Sequence, residues 1–360
     1  MRLVADAGVW TAGPAVAGVP AVAVLEVSGA VLAWTVDDQD GAAATRMTVT
    51  DVVTADWLWR VVGPAGHAAI VAGAELAEIE LLPGVFAPLR RLAIGHWLRR
   101  WWPESLLDGI GRLDRALLDG EIAVLTDAAQ EFFTEDTLDS DVAGLLGPHR
   151  TALLALERDD DPRVGDLVQA CAELADQVGA WVATETPVAL ADSDDRRRSD
   201  YALAAGATPG RAAGAIARGV GSVDWVAVPP GTFDAAEDTI DWSIEAIDSS
   251  VLAPIRVALT GTASPRGVDV RLRAGNVTGA GVLDGNGTAA LTLVGRDGLP
   301  LTENEAWDRD WSTTAVTIGA DVPGEGPEIR QRVRTFAMAR LARPGPDAFL
   351  AEIIAAESDY

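Results

Sequence analysis

Arginine and tryptophan are concentrated between Arg90 and Pro103, where four Arg and three Trp stand in one short segment. Together these side chains can stack on bases, grip phosphates, lie at a membrane interface or anchor a protein partner. As a helix, the segment places Trp97 and Trp101 on one apolar stripe and turns Arg100 away from it. Two interpretations stay open: the Trp side chains pack in a core while Arg pairs with Asp and Glu, or the segment binds a partner. The candidate partner-binding residues of this segment are Arg91, Trp97, Arg100 and Trp101.

A second pair of tryptophans lies near the end of the chain, where Trp307 and Trp311 are four residues apart. Exposed Trp contributes strongly to binding energy, so a loop that carries both residues could anchor a partner. The alternative is that both side chains pack over the end of a β-structure. We include both among the candidate partner-binding residues.

The residue types of common catalytic and metal sites are sparse or badly spaced. The three histidines, His67, His96 and His149, are far apart and form no His pair at helical spacing. No G-x-S-x-G motif occurs. Cys171 is the single cysteine, so it forms no intrachain disulfide and no Cys-cluster zinc site, and its helical context favours a buried, inert thiol. We therefore predict no catalytic residues, no metal site and no cofactor.

Two further patterns imitate functional motifs. Residues 285–290 read GNGTAA and match the dinucleotide-binding pattern, but a strand-like run follows where a helix is required, so we interpret them as a hairpin turn. A group of carboxylates around Phe132 and Phe133 could serve acid–base hydrolysis, although acidic residues are abundant enough to become neighbours without catalytic purpose. The group consists of Glu131, Glu135, Asp136, Asp139 and Asp141.

Charge excludes several classes of function. The 360 residues include 28 basic and 54 acidic ones, a formal net charge of −26, and every basic residue is Arg. Without Lys the chain has no Lys-dependent nucleotide site, no kinase-type site and no Schiff-base chemistry. Because an acidic surface repels phosphate backbones, we expect no nucleic-acid partner. No apolar run reaches the ~18 residues of a membrane span, so we expect a cytoplasmic protein without membrane insertion.

Periodicity predicts the elements that position these residues. In 1–63, short Val-rich and Trp-rich runs between Gly, Pro and Asp indicate an N-terminal β region. In 64–183, apolar residues at helical spacing indicate a helical region, whose clearest repeat is Leu106, Ile110, Leu113 and Leu117. Residues 184–222 hold charge, Ala and Gly but few large side chains, which predicts a linker or mobile connector.

The remainder predicts β-structure and then a helix. Seven strand-like segments occupy 223–322, beginning at 223–229, and a C-terminal helical segment occupies 323–360. In its pattern of strands and turns, 223–322 resembles immunoglobulin-like or transthyretin-like modules. The fold class is therefore α+β: a small N-terminal β layer, a helical middle region, a C-terminal antiparallel β-sandwich and a closing helix. The closing helix carries Arg330, Arg332 and Arg334, which could dock on the chain's own acidic surface or on an acidic partner.

These observations predict a non-enzymatic intracellular interaction protein with protein partners: a scaffold or a regulatory subunit of a prokaryotic assembly. Arg-only usage with abundant Ala, Gly and Val indicates the prokaryotic, GC-rich source. The alternative is a hydrolase that uses dispersed carboxylates or a His. A deep cavity with converging Asp, Glu or His side chains would favour the enzyme, whereas an exposed Trp and Arg patch would favour the scaffold.

Overall fold

A computed structural model describes residues 4–6, 9–38, 40–73, 84–133, 139–156, 161–181, 215–247, 250–261 and 263–358. Helices and antiparallel sheets both occur in these residues, which is an α+β fold. Of the predicted connector at 184–222, the part up to residue 214 lies outside the described residues. Its last part, Ala215–Gly221, forms a β-strand.

A five-stranded antiparallel sheet contains the N-terminal strands. Leu32 and Trp34 of one strand and Met47 and Val49 of its neighbour are buried on a single face, as the alternation of side chains in strands requires. The strands β1 to β5 span Val4–Asp6, Val9–Ala12, Val22–Val27, Ala30–Thr35 and Arg46–Val49, in the spatial order β1-β2-β5-β4-β3.

Helices cover the buried face of this sheet. The helices α1 to α6 span Trp59–Val71, Ala87–Trp101, Arg115–Phe133, Asp139–Leu146, Arg150–Leu156 and Pro162–Gln177. Helix α2 lies on strand β3 and against α3. Close packing requires Gly95 in α2, because a Cβ atom there would lie 2.7 Å from the Phe349 ring and 2.8 Å from Ile122.

The helix predicted from Leu106 onward begins only at Arg115. Leu106 lies instead in a turn that ends at an isolated bridge between Ser105 and Ile110. Gly109 in this turn has φ of +66°, a conformation that continues no right-handed helix. The helix start predicted from the apolar spacing of this segment is therefore wrong.

Two antiparallel sheets surround a second apolar cluster. One has the order β11-β8-β7-β6 and the other β10-β9-β12. Val270 and Leu272 are buried while Asp269 and Arg273 are exposed, which is the alternation of a strand with one buried face. The segment 223–229 is not a strand, since it contains a 3-10 turn at Trp225–Ala227. The strands β6 to β12 span Ala215–Gly221, Ile240–Ile247, Ser250–Val257, Asp269–Ala274, Val277–Val282, Thr288–Thr292 and Ala315–Ile318.

A short helix α7 spans Glu303–Trp307. The last helices, α8 (Pro327–Ala342) and α9 (Leu350–Ser358), return to the first cluster through residues such as Val333 and Leu350. The arginines of α8 bind the chain's own carboxylates, which is the first of the two docking alternatives. The pairs are Arg330 with Glu237 (2.8 Å), Arg332 with Asp37 (2.5 Å), Arg334 with Glu237 (2.9 Å) and Arg340 with Glu352 (2.5 Å).

The two apolar clusters meet along residues 223–237. Trp225 and Ala235 belong to the first cluster, whereas Val228 and Phe233 belong to the second. The backbone N–H of Ala235 also donates to the carbonyl of Glu104, across 3.1 Å. The segment after α2 therefore lies at the junction of the two clusters. Across the part of the chain that the structure describes, every helix is too short or too polar to cross a bilayer.

Candidate functional site

Trp97 and Arg91 make their contacts inside the fold. Trp97 is 2% exposed, its indole N–H donates to the carbonyl of Pro20 across 2.6 Å, and its ring meets Phe336 edge to face. Arg91 forms an ion pair with Glu121, which the helix α3 supplies. The indole and the guanidinium are thus committed to partners within this chain.

Arg100 and Trp101 lie at the end of α2, at the junction of the two clusters. The guanidinium carbon of Arg100 lies 4.0 Å from the Trp101 ring centroid, which is a cation–π contact. Arg100 also donates to the carbonyls of Trp225 and Val228 across 3.4 Å each. Burial lowers the pKa of Arg100, and the nearby Glu325 carboxylate opposes that shift. This cation is therefore partly desolvated and receives only weak hydrogen-bond compensation.

The two C-terminal tryptophans, Trp307 and Trp311, differ in burial. Trp311 is buried and its indole N–H donates to the carbonyl of Ala306 across 2.9 Å, so it packs over the end of the β-structure. Trp307 is 56% exposed and lies at the end of α7, with its indole N–H 3.4 Å from a carboxylate oxygen of Glu303. Of the two, Trp307 alone presents most of its ring to solvent.

Arg100 lines a cavity of about 270 Å³ that we call the arginine pocket. It lies between the end of α2, the start of α3 and the loop that holds Pro230 and Gly231. Four arginine residues line it in a chain with a net charge of −26. The polar and aromatic residues that line it are Arg99, Arg100, Trp102, Glu104, Arg112 and Arg115.

A buried carboxylate orients two of the four arginines. Asp119 is 1% exposed and accepts hydrogen bonds from Nε of Arg99 (2.9 Å) and from Nε of Arg115 (3.2 Å). Its second oxygen also lies 2.9 Å from Nε2 of His149. Burial raises the pKa of Asp119, but the His149 hydrogen bond and both arginines outweigh burial and hold the pKa below its usual range. Asp119 therefore stays ionised and fixes both guanidinium groups.

The other two arginines of the pocket have no such anchor. Among the described residues, no carboxylate lies within 4 Å of the Arg100 or Arg112 guanidinium groups. Glu104 shares the pocket, and burial raises its pKa to about 7 although Arg112 acts in the opposite direction and Asp234 adds to the rise. Near neutral pH Glu104 is thus about half protonated, and the pocket keeps an excess of positive charge.

The two ends of the loop 104–112 line the arginine pocket, and two exposed leucines lie at the tip of the loop. Leu106 is 60% exposed and Leu107 is 66% exposed. Ser105 and Ile110 exchange two backbone hydrogen bonds of 3.1 and 2.8 Å, which close the loop. The indole N–H of Trp102 donates to the carbonyl of Gly111 across 2.9 Å and fixes its base.

Asp234, in the segment 223–237 where the two clusters meet, holds the tip of this loop. It is 2% exposed, and its carboxylate accepts the hydroxyl of Ser105 (2.6 Å) and the backbone N–H groups of Leu106 (2.8 Å) and Leu107 (3.3 Å). Charge-assisted hydrogen bonds of this kind are among the stronger ones in proteins. The two leucines are therefore exposed on a fixed turn, which we call the leucine turn (Ser105–Ile110).

A second cavity, of about 260 Å³, brings His96 near Glu26 and Asp141. It lies between the edge strand β3 and the helices α2, α3 and α4. Burial lowers the pKa of His96, and the Arg99 charge adds to this effect while Asp141 opposes it. Of the predicted acidic group, Asp141 reaches this cavity; the side chains of Glu131, Glu135, Asp136 and Asp139 lie outside the described residues.

Cys171 is buried in α6, as predicted for an inert thiol, and burial raises its pKa to about 12. His67, His96 and His149 do not meet in one site: His96 lines the second cavity, and His149 binds Asp119. Within the described ranges, no group of three or more His, Cys, Asp or Glu residues could hold a metal ion.

Sequence reasoning missed most residues of this site: Arg99, Trp102, Glu104, Leu106, Leu107, Arg112, Arg115, Asp119 and Asp234. Gly109 and Gly111 were a usable signal for a turn here, because they interrupt the apolar spacing. Nothing local could indicate Asp234, which contacts the loop from more than 120 positions away. Comparison of the chain with protein-family models, curated proteins and solved structures gives no match. Function must therefore be argued from the geometry of this chain.

Proposed function

We propose that this chain is a non-enzymatic, cytoplasmic interaction protein, a scaffold or regulatory subunit of a prokaryotic assembly, that binds a protein partner through the leucine turn. The observation that carries this proposal is that Leu106 and Leu107 are 60% and 66% exposed while buried Asp234 fixes their backbone. Rigid apolar anchors lose little conformational entropy on binding, so more of their burial energy contributes to affinity.

Charge around the leucine turn indicates the chemistry of the partner. Arg112 is exposed at the base of the loop, and Arg100 lies in the adjoining pocket. The proposed partner surface is therefore an apolar recess flanked by carboxylates. A nucleic acid is disfavoured as the partner, because the net charge of −26 repels its phosphates at longer range.

The same proposal includes a β-sandwich of immunoglobulin-like or transthyretin-like pattern, made by the two C-terminal sheets. Both sheets contribute to one apolar cluster. A Cβ atom on Gly279 or Gly281 of β10 would lie 2.8 Å from Leu293 or 2.7 Å from Leu291, so β10 and the β11 region approach closely. This unit would supply Asp234, which holds the leucine turn in place.

Affinity purification from the native host tests the proposed function. A tagged Leu106→Ser, Leu107→Ser variant is compared with the wild type and with Leu299→Ser, a matched control that is 63% exposed elsewhere. Proteins recovered with the wild type and the control should be lost from the double variant, while circular dichroism shows all three folded. Recovery of the same proteins with the double variant would refute the proposal.

A hydrolase is the second candidate, and the cavity around His96 is the observation that favours it. Because burial lowers the pKa of His96, its imidazole is neutral near pH 7 and could accept a proton from a water molecule. Asp141 and Glu26 line the same cavity. Hydrolysis of ester or glycoside substrates by the purified chain, abolished by His96→Gln in a folded variant, would establish this candidate in place of the scaffold. Absence of turnover in the wild type would eliminate it.

A further inference from the structure

We propose that the arginine pocket is a binding site for a phosphoryl dianion, either inorganic phosphate or a small phosphomonoester. The proposal does not use the leucine turn, but it shares Arg100 and Arg112 with the proposed partner-binding surface. It rests on four arginines that line one cavity of about 270 Å³ while a single carboxylate, that of Asp119, forms ion pairs with any of them among the described residues.

The first step is the charge of the pocket. Arg99 and Arg115 share the single carboxylate of Asp119. Arg100 and Arg112 have no carboxylate within 4 Å in the part of the chain that is described. Two buried arginines elsewhere are balanced: Arg330 has three carboxylates within 4 Å and Arg340 has two. The four arginines of the pocket thus share one paired carboxylate, which leaves positive charge for an external anion.

The second step is geometry. Asp119 binds Arg99 and Arg115 through their Nε atoms, and Nη1 of Arg115 also donates to the carbonyl of Arg99 across 2.7 Å. The Trp101 ring supports the Arg100 guanidinium at 4.0 Å. Arg99 and Arg115 are thus held in the pocket before any ligand arrives, while Arg100 is held at its edge by Trp101 and the carbonyls of Trp225 and Val228. Planar, fork-shaped guanidinium groups match the oxygen atoms of phosphate, and preorganisation reduces the entropy lost on binding.

The third step is the size and charge of the ligand. The pocket is smaller than the roughly 300–1,000 Å³ of sites for drug-sized ligands, so it suits a small anion. Two unbalanced guanidinium groups match a dianion better than a single carboxylate. Glu104 faces the same space, and its protonated form can donate a hydrogen bond to a phosphoryl oxygen, whereas its ionised form would repel the dianion.

Isothermal titration calorimetry of the purified full-length chain with inorganic phosphate, at constant ionic strength, tests the site. Arg112→Gln changes an exposed residue and should weaken phosphate binding by about tenfold or more, because it removes a charge-assisted bidentate contact. Arg296→Gln, an exposed arginine outside the pocket, is the matched control and should leave the affinity unchanged. Equal loss in both variants, or no phosphate binding by the wild type, would overturn the proposal.

A second variant and a second ligand make the test sharper. Glu104→Gln should tighten the binding of sulfate, a dianion that does not titrate near neutrality, when measured at about pH 8, because it removes the repelling carboxylate. Glycerol phosphate and a phosphoserine peptide distinguish the sources of the phosphoryl group. Similar affinity for phosphate and glycerol phosphate supports a small-molecule ligand. A phosphopeptide that binds more than tenfold tighter than both would overturn that assignment in favour of a phosphorylated protein.

Discussion

Asp234→Ala removes the carboxylate that fixes the leucine turn, and its cost follows from the structure. The carboxylate accepts hydrogen bonds from the Ser105 hydroxyl (2.6 Å) and from the N–H groups of Ala236 (2.9 Å), Leu106 (2.8 Å) and Leu107 (3.3 Å). Ser105 and Ala236 are buried, so each would keep an unpaired donor at a cost of about 1–3 kcal/mol. The two leucine amides can reach water more readily. We expect the free energy of unfolding to fall by about 3–5 kcal/mol.

Urea unfolding followed by tryptophan fluorescence measures this change. Asp308→Ala, an exposed carboxylate, is the matched control and should change stability by less than about 0.5 kcal/mol. Hydrogen exchange adds a local readout, because the Leu106 and Leu107 amides should lose their protection in Asp234→Ala. A loss of stability below about 1 kcal/mol with unchanged protection would refute the claim that Asp234 holds the turn.

Three further predictions concern other parts of the molecule. In the folded protein the pKa of Glu104 is about 7, above its usual value, so the folded state binds a proton that the unfolded state has already lost. The free energy of unfolding should therefore fall as pH rises from about 4.5 to about 7. Glu104→Gln should remove this contribution in urea unfolding at several pH values, and an unchanged dependence of the unfolding free energy on pH would contradict the assignment. Glu352→Ala should cost about 3–5 kcal/mol, because it removes the buried carboxylate of Arg340 and leaves only the longer contact with Asp347, at 3.4 Å. Glu357→Ala breaks an exposed ion pair in the same helix and should cost less than about 1 kcal/mol. Equal costs in thermal unfolding would show that burial does not decide the difference. With its pKa at about 12, Cys171 should react with a thiol reagent in urea but not in the native protein, and rapid native labelling would contradict its burial.

Local pattern predicted the C-terminal strands well. On β9, the structure buries Val270 and Leu272, whereas the charged residues that alternate with them are exposed (Asp269, Arg273) or half-buried (Arg271). In a strand with one buried face, the alternation of apolar and polar residues is enough to predict which side chains face the core. The strand predicted at 223–229 is wrong, because the apolar residues of this segment pack at the junction of the two clusters instead of extending a sheet.

The candidate site was only partly predictable. Arg100 and Trp101 were singled out by composition, and both lie at the junction beside the arginine pocket. Trp97 belongs to the same helical stripe, yet its indole is buried against Pro20, because sequence spacing does not say which end of an apolar stripe the rest of the fold will cover. The leucine turn depends on Asp234, and the spacing of residues within a segment cannot predict a contact with a residue so distant in the sequence.

Photo-crosslinking in the native host tests the central claim most directly. A photoreactive residue replaces Leu107, at the tip of the leucine turn, or Leu299, which is equally exposed at 63% elsewhere on the molecule. We predict that irradiation joins the Leu107 position to one protein that the Leu299 position does not capture, and that Asp234→Ala weakens this crosslink. If the two positions give the same products, or if neither gives a specific product, the leucine turn is not a partner-binding site.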